Sequence, residues 1–187
     1  NADLALRSTL TFHSSRFGSQ GHAHADQNSF TFTSKGVPLL INSGYYPYYA
    51  SPHHAQVTRA TRYKNAVTFD GGIGQAEGSY KTPVPAAPFQ SMEARGRLLN
   101  ASSGNGVSIV TGDATLAYRG WDATYDTWRP MLTGAIRSLA YFKADGVIVT
   151  YDWLTSAQAR RFEWNYHGIG AFSTSGTSLV ANNGTSK

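Results

Sequence analysis

Residues 18–32 read GSQGHAHADQNSFTF, and after a Ser-Lys turn region residues 36–49 read GVPLLINSGYYPYY. The ionisable residues of the first stretch stand at every second position: His22, His24 and Asp26. In an extended chain, alternate side chains point to the same face, so two imidazoles and a carboxylate would form one row. Phe30 and Phe32 continue the period of two with apolar residues. The pattern predicts a strand with polar chemistry at its start and core packing at its end.

The row of two imidazoles and one carboxylate allows three interpretations. The rings can be structural groups that are hydrogen-bonded to nearby backbone. They can also be metal ligands, because neutral imidazole and carboxylate both bind zinc. A third role is contact with a substrate, and the two histidines need not share one role. The spacing alone leaves all three open.

Hydrophobic periodicity along the chain predicts about ten short strands separated by Gly, Asn and Asp turns. They are residues 4–13, 28–34, 37–41, 66–70, 90–100, 106–113, 135–143, 147–154, 160–167 and 178–181. Residues 44–54, 74–88 and 120–129 are predicted loops, and residues 156–160 are the best candidate for a single helical turn. We therefore predict one all-β domain over residues 1–187, an antiparallel β-sandwich of two stacked sheets that continue past Lys187.

Composition limits the kind of partner. The 187 residues carry a formal net charge of +5, which suits an anionic partner such as an acidic glycan. The basic residues are scattered and no RNA-binding or zinc-finger signature is present, which argues against nucleic acid. No apolar run approaches the roughly 18 residues that a membrane helix needs. Cysteine is absent, which excludes disulfides and is typical of a bacterial secreted or periplasmic protein. The chain opens at Asn1 without Met, so we expect a longer protein of which it is one part.

Aromatic residues crowd the predicted loop 44–54. Tyr45, Tyr46 and Tyr48 lie beside two prolines that oppose regular structure, and His53 and His54 follow. Tyrosine in a loop can be simple hydrophobic cover with a wet hydroxyl. The same rings could stack on sugars, and the sequence does not separate these two roles.

Three cations fall within six residues at Arg59, Arg62 and Lys64. They can form a solvated face. Alternatively, Arg59 and Arg62 bind oxyanions, because the guanidinium fork pairs with a carboxylate or sulfate through two hydrogen bonds. Lys64 is the weaker candidate for such a contact.

Four segments together resemble the heparinase II/III-like polysaccharide lyases, with the oligoalginate lyase branch as the nearest match. The segments are GSQGHAHADQNSF at 18–30, GVPLLINSGYY at 36–46, SPHH at 51–54 and TRATRYKNA at 58–66. The resemblance implies a complete enzyme made of an N-terminal (α/α) toroid and a β-sandwich, of which this chain is the β part. It also implies β-elimination at a uronic acid, with an acidic polysaccharide or oligosaccharide such as alginate or heparin as partner.

The resemblance also implies roles for single residues. His22 matches the histidine that enters the catalytic cleft from the β side, and His24 matches a ligand of zinc or another divalent ion. Asn42 and Lys64 stand where relatives carry an Asp and, in some cases, a His, which weakens the metal site unless His54 or His53 substitutes. The candidates for substrate contact are Arg59, Arg62, Tyr45, Tyr46, Tyr48, Gln27 and His53.

Two other functions compete with a lyase. His-x-His-x-Asp also opens the dinuclear zinc motif of the metallo-β-lactamase fold, but Gln27 stands where that motif continues with His, and that fold needs helices between its strands. A non-catalytic carbohydrate-binding sandwich would share the aromatic loop and the basic charge. Release of unsaturated uronate from a polysaccharide would distinguish a lyase from a binder.

Overall fold

The computed structural model describes Asp3 and residues 7–16, 22–49, 51–76 and 94–182. Thirteen strands lie within these ranges, and all the strand pairs are antiparallel. No helix in these ranges is long and apolar enough to cross a membrane. The predicted all-β antiparallel fold is confirmed.

The first sheet carries the residues that follow the histidine row. Its order is β1 (Thr9–His13), β2 (Ser29–Ser34) and β3 (Val37–Leu40). Lys35 and Gly36 close the predicted hairpin between β2 and β3 with positive φ angles of 47° and 78°, a conformation that Gly adopts without strain. Phe30 and Phe32 of β2 point into the core.

The second sheet is larger and has four strands. In chain order they are β5 (Arg97–Gly104), β6 (Val107–Asp113), β9 (Gly134–Phe142) and β10 (Val147–Thr155), and their order across the sheet is β10-β9-β6-β5. The predicted hairpin between β9 and β10 is confirmed.

Three two-stranded sheets complete the described fold. They pair β4 (Val67–Phe69) with β11 (Phe162–Trp164), β7 (Arg119–Asp122) with β8 (Thr127–Pro130), and β12 (Ala171–Ser175) with β13 (Ser178–Asn182). The last strand therefore has a partner before it in the chain.

The two larger sheets stack face to face. Every second residue of β9 is buried, as the period of a half-buried strand requires. Phe32 of β2 meets Tyr141 of β9 edge-on, with ring centroids 5.5 Å apart. At Gly112 the sheets approach so closely that a Cβ would lie 2.3 Å from Asn28 Oδ1 and 2.7 Å from a Phe12 ring carbon. Only a residue without a side chain fits this contact.

A buried ion pair joins the second sheet to the segment that precedes β4. Arg137 of β9 donates to both carboxylate oxygens of Asp152 on β10, at 2.7 and 3.1 Å. Its Nη1 donates to the backbone oxygens of Asn28 and Asn65, at 3.2 and 3.0 Å. Burying a charge pair is costly unless its remaining donors and acceptors are also satisfied. Here the remaining donor of Arg137 holds the backbone just before β2, at Asn28, and just before β4, at Asn65.

Asn65 is a second point of attachment. Its buried side chain donates to Phe30 O at 2.8 Å and to Ile41 O at 3.0 Å, and it accepts from His167 N–H at 2.7 Å. One amide thus ties β2, the end of β3 and the segment after β11 together.

Several predicted elements were wrong in type or extent. The predicted strand 90–100 is only partly matched: residues 90–93 lie outside the described residues, residues 94–96 are not in a strand, and β5 runs from Arg97 to Gly104. The turn that follows is at Asn105 and Gly106, both with positive φ. The predicted loop 120–129 is the β7-β8 hairpin, in which Trp121 lies opposite Trp128. Of the predicted strand 160–167, only Phe162–Trp164 is paired.

Helical turns also differ from the prediction. Residues 156–160 contain no helical turn, and the described turns are a π-helix at His54–Thr58 and 3₁₀ turns at Thr61–Tyr63 and Thr115–Ala117. The N-terminal part of the predicted strand 4–13 and most of the predicted loop 74–88 fall on residues 4–6 and 77–88, which lie outside the described residues.

Candidate functional site

The His22-to-Asp26 row exists, although its backbone is not a strand. β2 begins at Ser29, and residues 22–28 form bends and turns. Burial nevertheless alternates along this segment: Ala25 and Gln27 point into the fold, while the three residues of the row are exposed or half-buried. The expected common face is therefore reached without a β-ladder.

Hydrogen bonds to the segment 59–61 hold the row in place. Ala25 donates its backbone N–H to Arg59 O at 2.9 Å, and Thr61 Oγ1 donates to Ala25 O at 2.8 Å. Ser29 N–H then closes a turn on Asp26 O at 3.1 Å. The histidine row and the cationic segment are thus neighbours in space, although more than thirty residues separate them in sequence.

Gln27 is part of the support for the row. Its backbone exchanges two hydrogen bonds with the side chain of Gln75, at 2.9 and 2.8 Å, and its Oε1 accepts from Ser15 N–H at 2.7 Å. The residue is 2% exposed. Gln27 therefore lies inside the fold, out of reach of a sugar, and the predicted substrate contact is corrected to a structural role.

His22 is the exposed end of the row. Its ring centroid lies 4.7 Å from that of Tyr49, a partly exposed residue of the aromatic loop. This contact sets the imidazole at the surface and gives it a phenol as neighbour.

His54 lies beneath His24 and the tyrosine rings of the aromatic loop. It is fully buried in the short π-helix, and its ring centroid is 4.3 Å from Tyr46, 4.9 Å from Tyr49 and 6.3 Å from His24. Burial, together with the nearby positive charge of Arg59, holds the pKa of His54 below its usual range. A neutral imidazole in this position packs against aromatic rings without a charge to solvate.

Lys64 lies directly beside His24. The lysine is 1% exposed, and its Nζ is 3.1 Å from His24 Nδ1. Burial lowers the pKa of Lys64 to about 8, against the attraction of Asp26. Burial and then the charges of Lys64 and Arg59 lower the pKa of His24 to about 3. At neutral pH His24 is therefore uncharged and its Nδ1 accepts a hydrogen bond from the ammonium.

Asp26 is the carboxylate of this group. Burial raises its pKa, and the charges of His13 and Lys64 act in the opposite direction. His13 Nε2 lies 3.4 Å from Asp26 Oδ1. The carboxylate therefore has the His13 imidazole beside it and the charge of Lys64 nearby.

Arg59 and Arg62 have different environments. Arg59 is 2% exposed, and burial lowers the pKa of its guanidinium. Arg62 is exposed, with its Cζ 5.0 Å from the Tyr63 ring centroid. A solvated face fits Arg62 but is excluded for Arg59 and Lys64. The predicted direct contact of Arg59 with substrate is corrected for the same reason as that of Gln27, since its side chain lies inside the fold. We use the name His22 cluster for the following residues: His22, His24, Asp26, Tyr49, His54, Arg59 and Lys64.

The aromatic loop presents rings next to the cluster. Tyr45 is 87% exposed and stacks in parallel on Tyr46, with centroids 5.0 Å apart. Tyr48 and His53 are exposed as well. An exposed tyrosine stacked on a half-buried one, beside buried cations, is a surface that suits the apolar face of a sugar with an acidic substituent.

The model of the family described as Heparinase II/III-like, C-terminal, matches residues 5–184. The chain belongs to this family. Its members are polysaccharide lyases that act on acidic polysaccharides. Buried cations and exposed aromatic rings are the residue types that such a ligand calls for.

The residues proposed as metal ligands do not fit a zinc centre in this heparinase II/III-like domain. The Nδ1 of His24 is hydrogen-bonded to Lys64 Nζ and is therefore not available to a metal ion. Asn42 Oδ1 is a buried amide oxygen without a hydrogen-bond partner, and an amide is a poorer zinc ligand than a carboxylate. In the part of the chain that the structure describes, no group of three His, Asp or Glu side chains could hold a metal ion. No step of the proposed chemistry therefore uses a metal.

Sequence reasoning missed one member of the His22 cluster and several residues that support it. Tyr49 was not separated from its loop neighbours, and His13 was read only as part of a strand, because ring contacts and cross-strand distances have no local signal. Asn65 and Gln75 were missed for the same reason. The run of cations pointed to Lys64, but its burial could not be read from the sequence.

An open cavity of about 690 Å³ lies elsewhere, on the outer face of the second sheet. Arg97, Trp153 and Ile136 are among its lining residues. None of its lining residues belongs to the His22 cluster, so this cavity does not enter the candidate site.

Proposed function

We propose that this domain is the β-sandwich part of a lyase that cleaves a uronic-acid polysaccharide by β-elimination, with alginate favoured over heparin-type chains. One observation carries the proposal most strongly. The chain belongs to a lyase family, and its exposed His22 lies against Tyr49 in the same cluster as the buried cations Arg59 and Lys64. The preference for alginate rests on the motif resemblance.

The chemistry of β-elimination explains the residue types. Removal of the C5 proton places negative charge beside a carboxylate that is already negative, so positive groups must stabilise both charges. Arg59 and Lys64 supply buried positive charge close to the row, where the low dielectric strengthens its effect. His22 then contacts the reacting sugar, and Tyr49 orients its ring.

We propose that an N-terminal toroid domain outside this chain supplies the remaining base and acid groups. The substrate lies between that domain and the face formed by His22 and the tyrosine loop. Arg62, Tyr45, Tyr46, Tyr48 and His53 contact the polymer on either side of the cleaved bond. A periplasmic or secreted location agrees with an extracellular polysaccharide as substrate.

A non-catalytic carbohydrate-binding role is the second candidate. The exposed Tyr45–Tyr46 stack and the net charge of +5 favour it, because neither feature requires a reaction. The metallohydrolase alternative is not retained, since the described fold lacks alternating helices and the histidines do not form a metal-binding group.

A product-release assay separates the two candidates. The full-length protein is incubated with alginate, heparin, heparan sulfate and hyaluronan, and the ultraviolet absorbance of the unsaturated uronate is followed. We expect release from alginate. Binding to a polymer without any release from it would leave the carbohydrate-binding role and reject the lyase.

A further inference from the structure

The Lys64 side chain is the most unusual member of the His22 cluster. Lysine is almost never fully buried unless it is paired, and Lys64 is 1% exposed. Its hydrogen-bond partner is an imidazole nitrogen, His24 Nδ1 at 3.1 Å, rather than a carboxylate. A buried ammonium in such a position calls for an explanation beyond general packing.

An ammonium group has three donors and no acceptor, which fixes the state of His24. The ring must accept at Nδ1, so its proton is on Nε2. The nitrogen that faces the interior is thereby occupied, and a metal ion could take it only by displacing Lys64.

The segment that contains Asn42 lies beside Lys64. Ser43 donates its backbone N–H to Tyr63 O at 3.1 Å, which places residues 42 and 64 on adjacent stretches of chain. Asn42 carries no charge, whereas a carboxylate there would help to neutralise a divalent ion. The charges of this region therefore suit one positive charge on Lys64 better than two on a metal.

Arg59 strengthens this conclusion. It is a second buried cation, with only 2% of its surface exposed. A divalent ion brought to His24 would face Lys64 and Arg59 together. Repulsion between like charges is large when water is excluded.

We infer that Lys64 takes the place of a divalent metal ion in this site: the chain supplies its own cation, which holds His24, and the site binds no zinc. The inference rests on the proposed function only where it assigns the cluster to a substrate groove. Metal content and the state of His24 are measured without substrate, so either conclusion can fail alone.

The first experiment measures zinc. The wild-type protein and three variants are incubated with zinc, desalted and subjected to elemental analysis, with thermal unfolding recorded with and without chelator. The variants are Lys64→Met, the double variant Asn42→Asp/Lys64→His, and the control Lys143→Met, which removes an exposed lysine. We expect no stoichiometric zinc in the wild type or the control, and no effect of chelator on their unfolding midpoints.

The double variant Asn42→Asp/Lys64→His is expected to bind zinc, in contrast to the wild type. With a carboxylate at 42 and imidazoles at 24 and 64, it has the donor types that zinc prefers. We expect about one zinc per chain and an unfolding midpoint that falls when chelator is added. A folded double variant without zinc would overturn the inference, as would one zinc per wild-type chain that chelator removes.

A second measurement decides the question if the double variant does not fold. Nitrogen-15 NMR of the wild-type protein at neutral pH distinguishes the two tautomers of His24. We expect an unprotonated Nδ1 that accepts a hydrogen bond, with a chemical shift that changes in Lys64→Met and stays the same in Lys143→Met. A proton on Nδ1 would exclude Lys64 as its donor and overturn the inference.

Discussion

Lys64 and Arg59 show how a single residue can mislead sequence reasoning. Both belong to a run of cations that resembles a solvated face, yet they are 1% and 2% exposed. Their neighbour Arg62 is exposed. The difference arises because Thr61 and Arg59 are hydrogen-bonded to the backbone of Ala25. These bonds hold residues 59–61 against the inner side of the segment that carries His24 and Asp26.

His22 is the residue on which the proposed reaction depends most directly. A His22→Ala change removes an exposed side chain, so the fold should be unaffected. Loss of one preorganised donor typically lowers the rate by roughly 10²–10³, about 2.7–4 kcal/mol. We expect a loss of this size in the full-length enzyme, measured as the initial rate of unsaturated uronate release.

Two controls accompany this measurement. Thermal unfolding of His22→Ala should match that of the wild type, and Tyr151→Ala, an exposed change on β10, should retain full activity. A folded His22→Ala protein with near-normal turnover would refute the catalytic assignment.

The histidine row could be predicted from the sequence, but its support could not. The period of two in His22, His24 and Asp26 predicts a common face, and burial alternates as expected. The contacts that build the site join residues far apart in the chain, such as His24 with Lys64 and His13 with Asp26. No local pattern encodes such distances.

At the scale of elements, the sequence predicted the glycine turns correctly but predicted several strands with wrong ends or not at all. The Lys-Gly turn after β2 and the Gly146 turn after β9 were identified correctly, because a positive φ favours Gly. The β7-β8 hairpin was missed, since its Trp and Asp residues resemble a ring-packed loop. The pairing of β12 with β13 was also missed, since its Ser and Thr residues carry little hydrophobic pattern.

The contact between the sheets at Gly112 leads to a stability prediction. In Gly112→Ala the new methyl group would meet Asn28 Oδ1 at 2.3 Å, so the sheets must move apart. Overpacking of this kind typically costs about 1–3 kcal/mol. We expect a loss of this size in the free energy of unfolding, measured in urea.

Gly104→Ala is the matched control for that change. Gly104 is also a strand residue of the second sheet, and a Cβ built on it meets nothing within 4 Å. Its unfolding free energy should stay close to that of the wild type. Equal stability of the two variants would contradict the close approach at Gly112.

The aromatic loop carries a prediction about binding. Tyr45 is stacked on Tyr46 and 87% exposed, so Tyr45→Ala removes a ring without opening the core. We expect affinity for an alginate oligosaccharide to fall about tenfold, which corresponds to about 1.4 kcal/mol. Isothermal titration calorimetry of this chain measures the change, and an equal loss in Tyr151→Ala would argue against a role of the loop.

At the scale of the whole molecule, the buried cluster links stability to pH. The pKa of His24 is about 3 in the fold and 6.5 as its usual value, so the unfolded chain binds more protons between these limits. Stability contributed by His24 is therefore complete above pH 6.5 and falls as the pH drops toward 3, by at most about 1.4 kcal/mol per pH unit. Asp26 acts oppositely, because its raised pKa favours the protonated fold.

A His24→Gln variant isolates this effect. Glutamine can accept a hydrogen bond from Lys64 but has no proton to gain in this range. We expect its stability to fall less steeply than that of the wild type between pH 6.5 and 3, as measured by urea unfolding at several pH values. Parallel curves would show that His24 does not titrate with unfolding.

The Arg137–Asp152 pair has a consequence for genetic screens. Arg137 donates to the backbone carbonyl of Asn65, the residue after Lys64, and to the carboxylate of Asp152, which also accepts a hydrogen bond from the Trp164 indole N–H. A substitution at Asp152, which lies outside the His22 cluster, would thus loosen the backbone next to Lys64. A screen for loss of the proposed lyase activity would collect Asp152 variants together with variants of the proposed substrate contacts, and a folding assay run in parallel would tell the two kinds of loss apart.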